Sequence, residues 1–566
     1  MEEKNKIIIY QIFTRLFGNT NPTCKPNGTY AENGSGKMDD VTRQALHAIH
    51  RLGATHVWYT GIIAHATQTD HTDCGIPRNH PCVVKGKAGS PYAITDYYDV
   101  DPDLAVHPKQ RMKEFEALVS RTHEEGMKVV IDFVPNHVAR QYHSVEKPQD
   151  VKDLGEGDDL TRAFSPENNF YYIPGQKLEG EINLYDPEMG PYVEIPAKAT
   201  GNNRFDAYPN SNDWYETVKL NYGVDYISNT GCHFDPTPDT WLKMRDILLF
   251  WAGKGIDGFR CDMAEMVPCE FWGWVIPQVK AARPDIVFIA EVYNPDEYRN
   301  YIFNGHFDYL YDKVGLYDTL RGVVCGYTPA SAITSCWQRV DDIRLHMLNF
   351  LENHDEQRIA SDFYAGNAFK ALPALIVSAC LHANPFMLYF GQELGEPGMD
   401  SEGFSGRDGR TTIFDYWSIG SLRRWNNHGR FNTHLLNDRE KQLLAFYTRL
   451  LRLCNAEKAL AQGECFDLMY VNLNNWQMDA RTQFAFLRKA GNNLLLIAVN
   501  FAETPVRVGI NIPQHAFDYW QMAPLPACQA CDLLGDTDED ISFTPDKPVE
   551  TDLPGWGGKI LKIVLP

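Results

Sequence analysis

Over roughly the first 400 residues, short apolar runs alternate with stretches whose apolar positions recur at helical spacing. Residues 7–13, 54–59, 127–134, 256–260, 286–290, 347–351 and 385–390 read as strands. Several are continuous apolar runs, the pattern of parallel strands covered on both faces. Residues 40–52, 108–126, 241–255, 271–282, 369–382 and 440–454 read as helices, and Gly126 supplies a stop signal for the second of them. Repeated strand–helix units predict an α/β fold with a parallel sheet. A (β/α)8 TIM barrel is the first reading and a doubly wound sheet the competitor. The alternation breaks at a polar, Asn/Asp/Pro-rich stretch over about 140–236. From about residue 463 helical periods end, and the strands 482–488 and 494–500 flank the turn Ala490-Gly491-Asn492-Asn493. That texture predicts a C-terminal antiparallel β domain. The expected organisation is a barrel over 1–137 and 237–457, an inserted domain over 138–236, and a β-sandwich domain over 458–566.

Composition narrows the function classes. The 566 residues carry a formal net charge of −21, with 44% hydrophobic content. A chain this acidic offers no basic face for nucleic acid and no attraction to anionic lipid. No run reaches the ~18 apolar residues of a membrane span. The polar start passes straight into Ile7-Ile8-Ile9-Tyr10 without a leader-like segment. Thirteen cysteines, an odd number without a framework, favour reduced thiols. Together these predict a cytoplasmic protein acting on a neutral substrate.

Four segments place polar groups at the ends of predicted strands: Asp132-Phe133-Val134-Pro135-Asn136-His137, Gly258-Phe259-Arg260-Cys261-Asp262, Phe288-Ile289-Ala290-Glu291, and Asn353-His354-Asp355. Singly, an Asp after a strand reads as a helix cap or ion-pair partner. In a barrel, however, the C-terminal strand ends converge on one site. Charged groups gathered there are costly unless they are paired or have a task.

These four segments resemble the conserved regions of the α-amylase family, glycoside hydrolase family thirteen. Tyr10-Gln11-Ile12-Phe13-Thr14-Arg15, Pro91-Tyr92-Ala93-Ile94-Thr95-Asp96-Tyr97 and Gly391-Gln392-Glu393 are similar to further family segments. The resemblance implies that Asp262 is a nucleophile, Glu291 the general acid/base, and Asp355 a third carboxylate holding sugar hydroxyls. It makes His137 and His354 sugar-binding histidines and Arg260 the arginine beside the nucleophile. Asp132 is the carboxylate of the first region, and Tyr92 is a stacking ring. It also implies retention through a glycosyl-enzyme, an oligosaccharide or polysaccharide substrate, and no cofactor beyond a structural calcium. For that ion Asn136 is the candidate ligand, with Asp206 and Asp213 able to complete the shell; the other reading of Asn136 is a loop cap. Physically, one carboxyl must be protonated and its partner ionised, and Arg260 is placed to keep Asp262 ionised.

Three departures qualify the resemblance. Glu265 and Met266 stand where many relatives carry Lys and His toward the leaving-side sugars. Met263 matches neither common specificity residue, and Ala93 replaces an Asp. Short malto-oligosaccharides are therefore the expected substrates. A transglycosylase or sugar isomerase on the same scaffold is the alternative enzyme, and a non-catalytic glucan-binding protein the alternative class. Two weaker patterns, Cys528-Gln529-Ala530-Cys531 and the group His71, Cys74, His80 and Cys82, have spacings compatible with zinc.

Overall fold

The computed structural model describes residues 6–565. Eight parallel strands close into a barrel: β1 (Ile8–Phe13), β2 (His56–Thr60), β3 (Lys128–Phe133), β4 (Gly258–Cys261), β5 (Val287–Ala290), β6 (Tyr309–Tyr311), β7 (Met347–Phe350) and β8 (Phe386–Tyr389). Closure is explicit in the register. Ile8 of β1 pairs with Phe386 of β8, while Ile9 pairs with His56 of β2. Seven of these strands match expected runs. The three-residue β6 has no counterpart among the expected strands, because Tyr309-Leu310-Tyr311 is too short to form a periodic signal.

Helices wrap the barrel where their apolar faces dictate. Arg43–Leu52 buries Ala45, Leu46, Ile49 and Leu52. Its cap is the Thr42 side chain, which accepts from the Ala45 N–H. The helix Arg111–Glu124 is followed by Gly126 at φ +78°, a conformation that a side chain would strain. The helix Leu372–Cys380 is buried over its whole length. It packs against the C-terminal strands Asn493–Asn500 and Gly557–Val564.

The segment between β3 and the helix Asp239–Gly253 holds only short two-stranded pairs. One of them ties the insertion to the barrel. His137–Ala139 runs antiparallel to Thr217–Lys219, with Lys219 opposite His137. Beyond the long helix Asp438–Ala456 lies a six-stranded antiparallel sheet, accompanied by the pair Val506–Ile510 and Val549–Leu553. Among the described residues no helix is long and apolar enough to cross a membrane, and no cysteine is disulfide-bonded. The zinc-compatible patterns do not assemble: among the described residues no group of three metal-ligating side chains forms. His71 instead meets Asp103, and His80 meets the Gly190 carbonyl.

Two buried cations hold the end of the helix Leu372–Cys380 to neighbouring segments. Arg488 donates to the carbonyls of Cys380, Leu460 and Gly463 at 2.7, 3.2 and 2.7 Å. Lys6 donates to Ala379 and His382 carbonyls at 2.5 and 2.7 Å. Both satisfy carbonyls at the end of the helix Leu372–Cys380, where positive charge suits the helix dipole. Arg488→Ala orphans three carbonyls and opens a cavity, so a loss of about 3 kcal/mol is expected. A thermal melt of the variant checks this, and an unchanged midpoint would contradict it.

Candidate active site

Alternate residues along each barrel strand share a side. Ile9, Trp58, Val130, Ile289, Tyr311, Leu348 and Met387, drawn from seven strands, form one buried cluster. Two residues further along the same alternation come Gln11, Thr60, Asp132 and Glu291. In β4 the cluster position is taken by Arg260, and Asp262 follows it. The lumen is thus apolar below and polar above, and Arg260 marks the boundary.

Arg260 is sealed from water and faces three carboxylates. Its Nη1 lies 2.6 Å from Asp262 Oδ1 and 3.5 Å from Asp132 Oδ1, and its Nη2 lies 2.8 Å from Glu291 Oε2. Its Nε donates to the Tyr311 hydroxyl at 3.2 Å. The rings of Trp58, Tyr92 and Tyr311 surround the guanidinium at 5.3–5.5 Å, an arrangement that favours a cation. Trp58 adds a donor of its own, with Nε1 3.1 Å from Asp132 Oδ2.

Glu291 is held from two further sides. The Met263 N–H donates to Oε2 at 2.9 Å, and the Tyr293 hydroxyl to Oε1 at 2.5 Å. Met263 sits at φ +43°, an uncommon conformation for a side-chain-bearing residue that stores strain at the turn beside Asp262. Glu265 turns away from the leaving side. Its Oε2 accepts the backbone N–H groups of Tyr293 and Asn294 at 3.0 and 2.9 Å, which fixes the loop carrying Tyr293.

Asp355 is set by an Asx turn: Asn353 Oδ1 accepts the N–H groups of Asp355 and Glu356, both at 2.9 Å. Below this loop the buried pair Arg358–Glu352 closes at 2.8 Å, and Arg358 also donates to the Phe390 carbonyl. His354 Nδ1 lies 2.9 Å from the Gln11 amide nitrogen, a donor. The other ring nitrogen, Nε2, faces Asp355 Oδ2 at 3.0 Å and the Tyr92 hydroxyl at 2.5 Å.

Charge follows from this crowding. Burial raises the Asp262 carboxyl well above the usual range; Arg260 opposes that, and Glu291 and Asp355 add to it. Arg260 lowers Asp262 as expected, but its charge is divided among three acids and burial outweighs it. Burial likewise lifts Asp132 to about 6, against the pull of Arg260 and His354. For Asp355 the loss of water would raise the carboxyl, but His354, Arg260 and Arg410 outweigh it and bring it to about 2. Its side chain is 42% exposed at the mouth. Burial and the nearby Lys219 and Lys85 drop His137 to about 3, so that ring is neutral.

A cavity of about 470 Å³ opens above these groups. Tyr92, His137, Trp214, Asp262, Glu291 and Asp355 border it. Arg260, Asp132 and His354 do not border this cavity; Arg260 reaches Asp262 and Glu291, and His354 reaches Asp355 and Tyr92, which do. Of the aromatic residues in the insertion, Trp214 reaches the cavity, whereas Phe170, Tyr171 and Tyr172 are buried. The sequence reading missed Trp58, Tyr293 and Tyr311. Trp58 lies in a strand that looks like ordinary core, Tyr311 in the three-residue strand that carries no signal, and Tyr293 carries no motif beyond following Glu291 by two.

The expected calcium ligand is committed elsewhere. Asn136 Nδ2 donates to the Gly201 carbonyl at 2.9 Å, and its Oδ1 accepts from the Lys219 ammonium. Asp206 and Asp213 pair with Arg204 at 3.0 and 2.8 Å. A calcium shell needs six or more converging oxygens. An ammonium on the one expected amide oxygen, with both carboxylates engaged by Arg204, does not fit one.

A family model described as "Alpha amylase, catalytic domain" matches residues 11–463. The chain belongs to the α-amylase family. Neopullulanase 2 of Thermoactinomyces vulgaris is 21% identical over 534 residues, covering 92% of this chain and 73% of that protein. An alpha-1,4-glucan:maltose-1-phosphate maltosyltransferase of Cereibacter sphaeroides is 41% identical over 92 residues, covering 15% of this chain and 16% of the other. The fold of a noncanonic maltogenic alpha-amylase, AmyB of Thermotoga neapolitana, superposes with a TM-score of 0.61 at 19% identity and covers 99% of both chains.

The raised acids of this α-amylase-family site make a stability prediction. A carboxyl whose native pKa exceeds its unfolded one costs stability as pH rises between the two values. Asp132, lifted from 3.8 to about 6, therefore costs about 3 kcal/mol above pH 6, since each pKa unit is about 1.4 kcal/mol. Asp132→Asn should raise the melting temperature at pH 7, and the gain should shrink as pH falls toward 4. A pH series of melts checks this; a variant less stable than wild type at pH 7 would contradict it.

Proposed function

We propose that the chain hydrolyses α-glucosidic bonds of short malto-oligosaccharides with retention of configuration, through a covalent glycosyl-enzyme on Asp262. The observation that carries this is the sharing of one guanidinium by Asp262 and Glu291. Both acids also stand at the ends of the paired strands β4 and β5, and neighbouring strands are about 4.8 Å apart, which favours a short carboxylate separation. A retaining site needs a separation of about 5–5.5 Å, and an inverting one about 6.5–9.5 Å.

The geometry supports the following roles. Asp262, at the head of β4, attacks the anomeric carbon. Glu291 protonates the leaving oxygen and then activates water. The Tyr293 hydroxyl and the Met263 N–H hold the Glu291 carboxylate in place for both steps. Asp355, kept ionised at the mouth, binds sugar hydroxyls, aided by neutral His137. Tyr92, stacked on His354 with centroids 5.2 Å apart, offers a ring for the sugar face. The preference for short chains rests on Glu265. Because it is spent on the Tyr293 loop, it leaves the leaving side without a long cationic contact. Asn136 and the inserted segment serve this pocket without a metal.

A second reading, transfer to a sugar acceptor instead of water, draws support from the maltosyltransferase resemblance over 92 residues. Both readings share the first half-reaction. Proton NMR of maltotriose turnover, taken before mutarotation, should show the α-anomer first, and initial β-anomer would overturn the retaining assignment. Longer oligosaccharides accumulating on addition of maltose would favour transfer over hydrolysis. The kcat/KM per chain end should be higher for maltotriose than for starch.

A further inference from the structure

Lys219 is almost fully buried on the strand that closes the insertion. Its ammonium donates to Asn136 Oδ1, in the segment after β3, and to the Met266 carbonyl at 3.0 Å, in the turn after β4. The Tyr226 ring lies 5.9 Å away. Among the described residues it forms no ion pair with an acid. Burial brings the Lys219 ammonium down to about 7, the cost of holding a cation among neutral oxygens from separate chain segments, and the ammonium sits on Asn136, the residue that the family resemblance offers as a calcium ligand. Its three anchor points matter. Lys219 is the cross-strand partner of His137, Asn136 Nδ2 touches His137 Nδ1 at 3.0 Å, and the Met266 turn begins at Met263, whose N–H holds Glu291.

We propose that Lys219 is a positioning residue that serves as a built-in cation, doing for this chain what a bound calcium would do between the insertion and the barrel. It fixes His137 at the cavity wall and braces the turn behind Glu291, so the enzyme needs no divalent ion at this point. The inference rests on the reading of the cavity as a sugar site only for its effect on turnover; the metal independence stands apart from it.

The experiment has an arm for each part. Wild-type protein, exhaustively chelated and then titrated with calcium chloride, should show the same melting temperature throughout. A midpoint that falls on chelation and returns with calcium would overturn the proposal. Lys219→Met keeps the aliphatic bulk but cannot donate, and should lose tenfold or more in kcat/KM. Lys219→Ala should lose as much and be partly restored by ethylammonium, whereas the Met variant should not. Lys219→Arg keeps a donor and should stay within about threefold of wild type, which separates lost positioning from failure to fold. Full activity in Lys219→Met would reduce Lys219 to a space-filling role and refute the idea. Should wild-type protein have no glucosidase activity at all, the chelation arm still decides metal independence by melting alone.

Discussion

A single guanidinium, closed off from water, has to answer for Asp262, Glu291 and Asp132 at once. Its charge cannot neutralise three acids, so burial leaves the group short of one or more positive charges. Burial accordingly raises both Asp262 and Asp132 above the ordinary carboxylate range, against the pull of Arg260. A retaining glycosidase needs its two carboxylates to differ by one proton, with the acid/base switching from acid to base during the cycle. Arg260 holds both members of the pair on one guanidinium.

The surrounding structure serves this arrangement and bears its cost. Three rings wall in the guanidinium, and Tyr311, from the shortest barrel strand, supplies its fourth contact. Met263 accepts a left-handed backbone so that its N–H meets Glu291. Strain and raised acids at one site are the usual trade of stability for function. Compensation lies in the apolar lumen below and in the bonds that buried Arg488 and Lys6 make to the end of the helix Leu372–Cys380.

Much of the fold was legible because parallel strands covered on both faces are written as apolar runs, and seven of the eight showed. The strand 309–311 escaped because two tyrosines around one leucine carry no period. Asp262, Glu291, Asp355 and His137 stood out because each follows such a run, and the structure gathers them at one cavity. What did not show was the division of labour. Arg260, Asp132 and His354 do not border the cavity, a distinction that depends on which strand residues alternate inward relative to one another. Glu265 illustrates the limit more sharply. The sequence marks it as an unusual residue facing the leaving side, but only the chain path shows it turned back onto the Tyr293 and Asn294 amides. Lys219 was invisible as a partner of Asn136, since 83 residues separate them.

The central claim is that Asp262, poised by Arg260, forms a covalent bond to the sugar. Incubation with 5-fluoro-α-glucosyl fluoride tests it directly, because the ring fluorine slows release of the glycosyl-enzyme while the good leaving group lets it form. Mass spectrometry of the digested protein should find one fluoroglucosyl group on the peptide containing Asp262. An adduct on Asp355 or Glu291, or steady turnover of the reagent with no adduct on any carboxylate, would contradict the account.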